Sequence, residues 1–283
     1  MTIDTIILSG GGIKGFYHIG AVKYLHEKDI LKNIKTFIGT SIGSVIALML
    51  SLNYTIHDIE YLFINLELGN MYNINSDNIL NFLNIYGIDN SENINNMIEI
   101  IIGTKHNKNI TFKELYDITL IELRILVTNL TDQKFEIFDY KSYPNTPVCI
   151  AIRMSCSVPV LYKPIEYNTK LYIDGGLTNN YPIDIVEHNN YIGFLIYSNY
   201  KIDINNAFDY IIALIYSISN KCHEEYKINN KHNNQYNIKF ISNHNPLDFS
   251  INKDLKLEMI KSGYEITLKH FVEYPDLLKK IKL

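Results

Sequence analysis

The sequence contains no tryptophan, three cysteines, seven prolines and fourteen glycines in 283 residues, and only two of its 26 basic side chains are arginine. Cys149, Cys156 and Cys222 are too few, odd in number and wrongly spaced for a disulfide framework or a thiolate metal site. They predict reduced thiols in a cytoplasmic or other intracellular compartment. The formal net charge is -4 and the pI near 6.1, which lacks the basic footprint of a nucleic-acid binder. No apolar run approaches the 18 residues of a membrane span; the longest, Val45 to Leu50 and Ile211 to Ile215, have core lengths. Met1 to Leu8 carries no basic segment followed by a long apolar stretch, so no secretory leader is expected. His26-Glu27 and His223-Glu224 lack a second histidine four residues on, and neither a metal nor a cofactor is expected. Asn53, Asn109 and Asn129 head glycosylation triplets that read as accidents in a chain with 34 asparagines.

The hydrophobic share is 47% against 20% charged, the profile of a folded soluble domain. The abundance of Ile, Asn and Tyr, with Lys far ahead of Arg, reflects an AT-rich coding bias and carries no chemistry. Thr2 to Leu8 reads as a strand that ends in Ser9-Gly10-Gly11-Gly12, and Phe16, Ile19, Val22 and Leu25 then recur at helical spacing. Ile34 to Ile38 is a second strand, broken at Gly39-Thr40-Ser41, and Ile42 to Leu52 a buried helix. Strand, helix, strand, helix predicts a mostly parallel sheet covered by helices, an α/β fold. Residues 66–117 are polar, with short helices expected around Ile79 to Tyr86 and Ile94 to Ile102, and read as a helical insertion or lid. Strands at Glu122 to Thr128, Lys134 to Phe138, Leu171 to Ile173, Ile192 to Tyr197 and Ile238 to Ile241 alternate with helices at Val148 to Ser155, Ala207 to Ser219 and Lys253 to Val272. With no repeat and no linker, one domain is expected over 1–283.

Three motifs carry chemistry. Gly39-Thr40-Ser41-Ile42-Gly43 is a G-x-S-x-G where a strand meets a helix: glycines two residues either side of a serine allow a turn sharp enough to present its hydroxyl. The alternative is a plain Ser-capped helix. Gly10-Gly11-Gly12-Ile13-Lys14-Gly15 supplies unobstructed backbone amides, as an oxyanion hole requires. The same letters fit a dinucleotide fingerprint, but the second strand ends in Gly39-Thr40-Ser41 where a ribose-binding acid belongs. Asp174-Gly175-Gly176 follows the apolar strand Leu171-Tyr172-Ile173 and reads on its own as a turn. All three fall at the carboxyl ends of strands, the edge where parallel sheets place their sites.

Together these motifs resemble the patatin-like phospholipase family, whose G-G-G-x-[KR]-G loop, G-x-S-x-G elbow and D-G-[GA] element are matched at Gly10 to Gly15, Gly39 to Gly43 and Asp174 to Gly176. Arg153 to Pro159 and Thr178 to Pro182 are similar to the segments that flank the family's aspartate strand. The likeness is best over 3–185, extends to Gly263-Tyr264 and fades over 66–108. It implies a patatin-like three-layer fold and a phospholipase A-type hydrolase of lipid metabolism that cleaves glycerophospholipid esters. Its centre would be a Ser-Asp dyad, with Ser41 as nucleophile, Asp174 as base and the Gly11 and Gly12 amides as oxyanion hole. The partner implied is a lipid at a membrane or micelle surface, met by apolar side chains of the lid. Lys14 can add positive charge to the loop. His188, His223, His232, His244 and His270 are placed late enough for a triad, but their polar surroundings predict surface positions. A lipid- or nucleotide-binding module without turnover is the alternative. Leu277 to Leu283, a short basic amphipathic tail, predicts a frayed terminus.

Overall fold

The computed structural model describes residues 3–71, 82, 85–186, 190–207, 209–218 and 234–282. Its strands are β1 Thr5–Leu8, β2 Thr36–Thr40, β3 Gly87–Asp89, β4 Glu122–Asn129, β5 Lys134–Phe138, β6 Val160–Tyr162, β7 Ile165–Tyr167, β8 Lys170–Asp174, β9 Tyr191–Ser198 and β10 Asn237–Ser242. Five run parallel in the order β10-β9-β1-β2-β4. The apolar run of β1 is buried at every residue, as expected where helices cover both faces of a parallel strand. Helices α1 Phe16–Glu27, α2 Ile42–Ser51 and α3 Ile56–Asn65 follow the first two strands. The long helix Lys253–Glu273 lies against α1, where Tyr24 stacks on Phe271 and meets Tyr264 edge-on. Helix Val148–Ser155 packs with α2 against β4.

The sheet departs from uniform parallel order beyond β4. Both β5 and β8 pair with β4 antiparallel, and β7 returns antiparallel on β8. Because β5 pairs along residues 125–129 of β4, β2 and β8 share the opposite edge, one after the other. Thr40 pairs with Leu126 and Asp174 with Val127. The end of β2 and the end of β8 therefore abut. Asp174 reaches the carboxyl edge of the parallel strands from the opposite direction, not as the end of another parallel strand. This is not visible in the sequence, because the three-residue apolar run Leu171-Tyr172-Ile173 looks the same in either orientation.

The stretch expected to be a helical insertion holds helix Glu92–Gly103, which packs on helix Val148–Ser155, most of helix Phe112–Thr119, which packs on β4, and strand β3, which pairs parallel with β6; part of the helix expected at Ile79 to Tyr86 lies outside the described residues. The C-terminal segment forms a helix, Asp276–Lys282, that is tied into the fold rather than frayed: Leu277 is buried, and the Lys280 carbonyl accepts the Ile3 amide. No described helix is long and apolar enough to cross a membrane.

Candidate active site

The elbow is built by sterics. Ser41 sits between β2 and α2 at φ 51° and ψ -126°, a conformation that costs an L-residue of order 1–3 kcal/mol and persists only when its surroundings impose it. A Cβ on Gly43 would lie 2.3 Å from the Leu8 carbonyl oxygen, and one on Gly39 would lie 2.5 Å from that of Gly43. Only glycine on both sides lets α2 start this close to the sheet. The Ser41 N–H donates to Ser155 Oγ at 2.9 Å, and that hydroxyl donates to the Leu126 carbonyl at 2.6 Å. Ser44 Oγ donates to the Ser41 carbonyl at 2.6 Å. The turn is thus held from helix Val148–Ser155 and from its own first turn.

The abutting strand ends bring Ser41 and Asp174 into contact. Ser41 Oγ donates to Asp174 Oδ2 at 2.6 Å, and the Gly176 amide donates to Oδ1 at 2.7 Å. The Asp174 N–H is taken by the Ser157 carbonyl, and its own carbonyl accepts from Thr128 Oγ1. Asp174 is buried, and desolvation pushes its carboxyl up to about 6 despite the two donors. Removal from water disfavours the charge more than two hydrogen bonds restore it. Gly175 closes on β4, where a Cβ would lie 2.4 Å from the Leu126 oxygen.

The glycine loop leaves β1 beside this pair. The Gly10 amide is taken by the Asn180 carbonyl, whereas the amides of Gly11 and Gly12 have no acceptor among the described residues. Gly12 has φ +57°, and a Cβ there would lie 2.0 Å from the Pro246 carbonyl oxygen, which accepts the Ile13 amide instead. A Cβ on Gly15 would lie 2.4 Å from Ile42 Cγ1 of α2. Behind the loop, buried His18 donates from Nε2 to the Ser9 carbonyl at 2.8 Å. Burial holds its imidazole down at about 4, so it is neutral. Ser9 Oγ accepts the Ile196 amide, fixing the loop to β9 as well.

A cavity of about 110 Å³ is lined by Gly10 to Gly12, Lys14, Ser41 and Asp174, and closed by Asn180, Ile196, Tyr216 and Leu247. Lys14 is buried in its wall, and desolvation lowers its ammonium to about 7. On the other side of Ser41 lies an almost wholly apolar cavity of about 90 Å³ with Ile42, Val45, Phe63, Leu68 and Met97 in its lining. Leu68, Ile94 and Met97 in this wall come from the stretch read in the sequence as an insertion or lid. Such an arrangement holds a polarisable hydroxyl, a poorly solvated carboxylate and two free amides around one point, beside room for an apolar chain.

Of the ten site residues singled out in the sequence, Gly10, Gly11, Gly12, Ser41, Asp174 and Gly176 line the first cavity, Gly15 lines the apolar one, and Gly39, Gly43 and Gly175 make the close backbone approaches that hold the turn and the end of β8. Among the described histidines none lines the cavity at Ser41 and Asp174: His270 binds the Gln235 carbonyl on the far helix, and His244 lies in the loop before Pro246. His188, His223 and His232 lie outside the described residues. Sequence reading missed His18, Ser155, Ser157 and Tyr216 as neighbours of the site. Only Ser155 and Ser157 carried a signal, as part of the segment before the aspartate strand.

Comparison with known proteins gives the family. The family model described as patatin-like phospholipase matches residues 6–186, which hold the glycine loop, the elbow and the aspartate motif. The chain belongs to the patatin-like phospholipase family. Among its relatives, a probable lipid hydrolase, 463L, of Invertebrate iridescent virus 6 is 38% identical over 66% of this chain and 64% of its own length. Triacylglycerol lipase 4 of Saccharomyces cerevisiae is 27% identical over 63% of this chain and 22% of that protein. The patatin-like chain thus matches less than two thirds of the length of either. Its fold is that of VipD from Legionella pneumophila, with a TM-score of 0.60 at 16% identity over 96% of this chain and 67% of that one. The family match ends before β9, so Ile196, Tyr216 and Leu247, which close the cavity, lie beyond it.

Proposed function

We propose that this chain is a serine-dependent acyl hydrolase of phospholipase A type, with Ser41 as nucleophile and Asp174 as the base that activates it. The observation that carries this reading is the 2.6 Å hydrogen bond from Ser41 Oγ to Asp174 Oδ2, between two buried side chains that line one cavity. A serine hydroxyl is a weak nucleophile until its proton is taken in the transition state. A carboxylate held near 6 is a better base at neutral pH than one at its ordinary value. As Oγ attacks the ester carbonyl carbon, its proton passes to Asp174 and the carbonyl oxygen becomes an oxyanion facing the Gly11 and Gly12 amides. Collapse of that intermediate expels the alcohol, which takes the proton from Asp174 and leaves an acyl-serine. Water, deprotonated by Asp174, then releases the fatty acid and restores the hydroxyl.

The two cavities support the substrate class. The almost wholly apolar one suits the acyl chain, and Lys14 is the basic side chain in the wall of the other, itself largely apolar, for the phosphate of a glycerophospholipid. Ser41→Ala and Asp174→Asn should each abolish hydrolysis of a short-chain p-nitrophenyl ester and of phosphatidylcholine while leaving the circular dichroism spectrum unchanged. Full activity in either variant rules out the dyad. A fluorophosphonate probe should label the wild type and not Ser41→Ala, which separates turnover from lipid or nucleotide binding without chemistry.

A further inference from the structure

The helix at 209–218 has two apolar faces. One is turned inward: Ile212 is 6% exposed, and Ile215 and Tyr216 line the cavity that holds Ser41 and Asp174. The other meets solvent: Tyr210, Leu214 and Ile218, spaced four residues apart, are 53%, 46% and 54% exposed, and Ile204 just before the helix is also exposed. Residues three and four apart lie on one side of a helix, so these three side chains form a single stripe opposite the cavity wall. A surface helix ordinarily turns a polar face to water. Other exposed apolar side chains, such as Ile100 and Val272, sit on separate elements.

Charge decides what such a stripe fits. Between 201 and 218 the sequence holds Lys201, Asp203 and Asp209 and no other charged residue, so the one cation is outnumbered by carboxylates and the segment does not favour an anionic partner. The stripe offers apolar area alone, on the outer side of a helix whose inner side covers the candidate reacting atoms. A helix is about 10 Å across. A surface resting on the stripe therefore lies about one helix diameter from the cavity.

We propose that helix 209–218 is the face that docks this protein on a lipid aggregate, with Tyr210, Leu214 and Ile218 entering the interfacial layer. This rests on the lipid-ester reading above for what the helix meets. Docking through apolar burial predicts binding to neutral phosphatidylcholine as readily as to anionic vesicles, and little loss in high salt. It also brings substrate to the one wall between the dyad cavity and this surface, so activity on packed lipid should depend on the stripe and activity on dissolved ester should not.

The absence of tryptophan supplies the test. Leu214→Trp, made in the Ser41→Ala background so that turnover plays no part, gives a single-tryptophan protein. Its emission should shift to the blue on adding vesicles of pure phosphatidylcholine, whereas Ile100→Trp in the same background should not respond. Leu214→Asp/Ile218→Asp should hydrolyse phosphatidylcholine vesicles about tenfold or more slowly than wild type. Its rate on a dissolved short-chain p-nitrophenyl ester should stay within about twofold of wild type, since neither side chain lines the cavity. An unresponsive Leu214→Trp emission, or wild-type hydrolysis of vesicles by the double variant, overturns the proposal. So does a wild-type dimer that the double variant dissolves with vesicle hydrolysis intact, because the stripe would then serve a second copy of the chain. Loss of dissolved-ester hydrolysis in the wild type itself sinks the hydrolase reading instead, and leaves the vesicle-induced emission shift to be judged separately.

Discussion

The buried carboxyl of Asp174 makes a quantitative prediction about pH. Desolvation raises it from an ordinary 3.8 to about 6, and that distance corresponds to roughly 3 kcal/mol of disfavoured charge. In the proposed mechanism Asp174 must be ionised to accept the Ser41 proton, so kcat/KM on a dissolved ester should rise with unit slope up to about pH 6 and then level. At pH 5 the rate should be about tenfold below the plateau, and at pH 4 about a hundredfold. A carboxylate at its ordinary value would already be near full activity at pH 5. Because carboxylic acids ionise with little enthalpy, the midpoint should hardly move with temperature; an imidazole would move it strongly. Lys14, lowered to about 7 in the same cavity, should add a falling alkaline limb on anionic phospholipid that disappears in Lys14→Met.

Stability supplies an independent check. Below about pH 4 Asp174 is protonated in both folded and unfolded chains, and it imposes no penalty. Between about 4 and 6 the unfolded chain ionises first, so its folded-state penalty grows as pH rises, reaching roughly 3 kcal/mol above 6. Asp174→Asn should therefore gain stability relative to wild type on going from pH 4 to pH 8, while being inactive at both. An activity midpoint near 4, or a stability difference that stays flat across that range, refutes the burial reasoning.

Two further changes probe the scaffold. Ser155→Ala removes the hydroxyl between the Ser41 amide and the Leu126 carbonyl, both buried; urea denaturation should show a loss of about 1–3 kcal/mol, with kcat reduced more than KM. Gly12→Ala places a methyl 2.0 Å from the Pro246 oxygen at a positive φ. Displacing that amide should cost about a hundred- to a thousandfold in kcat, the scale of a lost oxyanion donor, while fluorophosphonate labelling at Ser41 slows and does not vanish.

Much of the site was legible because local sterics dictate it. Scarce glycines stand where backbones come within contact distance, and eight of the fourteen lie in the three motifs. The order of strands and helices through α2, helix Val148–Ser155 and the long C-terminal helix followed from hydrophobic period. The antiparallel run of β8 did not, since orientation depends on which neighbour a strand finds. The family likeness, and not the spacing, paired Ser41 with Asp174 across 133 residues. His18 carried no sequence signal, because only the folding of the glycine loop back onto α1 brings its imidazole to the Ser9 carbonyl nine residues away.

What the sequence determined alone is a glycine-lined edge of an α/β sheet with a serine at a sharp turn, because φ restrictions and close approaches are properties of a few adjacent residues. What only the tertiary structure decided is that β2 and β8 end against each other on one edge of β4, so that a hydroxyl meets a carboxyl largely removed from bulk solvent. The raised proton affinity of Asp174 and the two-faced position of helix 209–218 have the same origin. Desolvation and exposure are set by what packs around a group, and no local pattern records that.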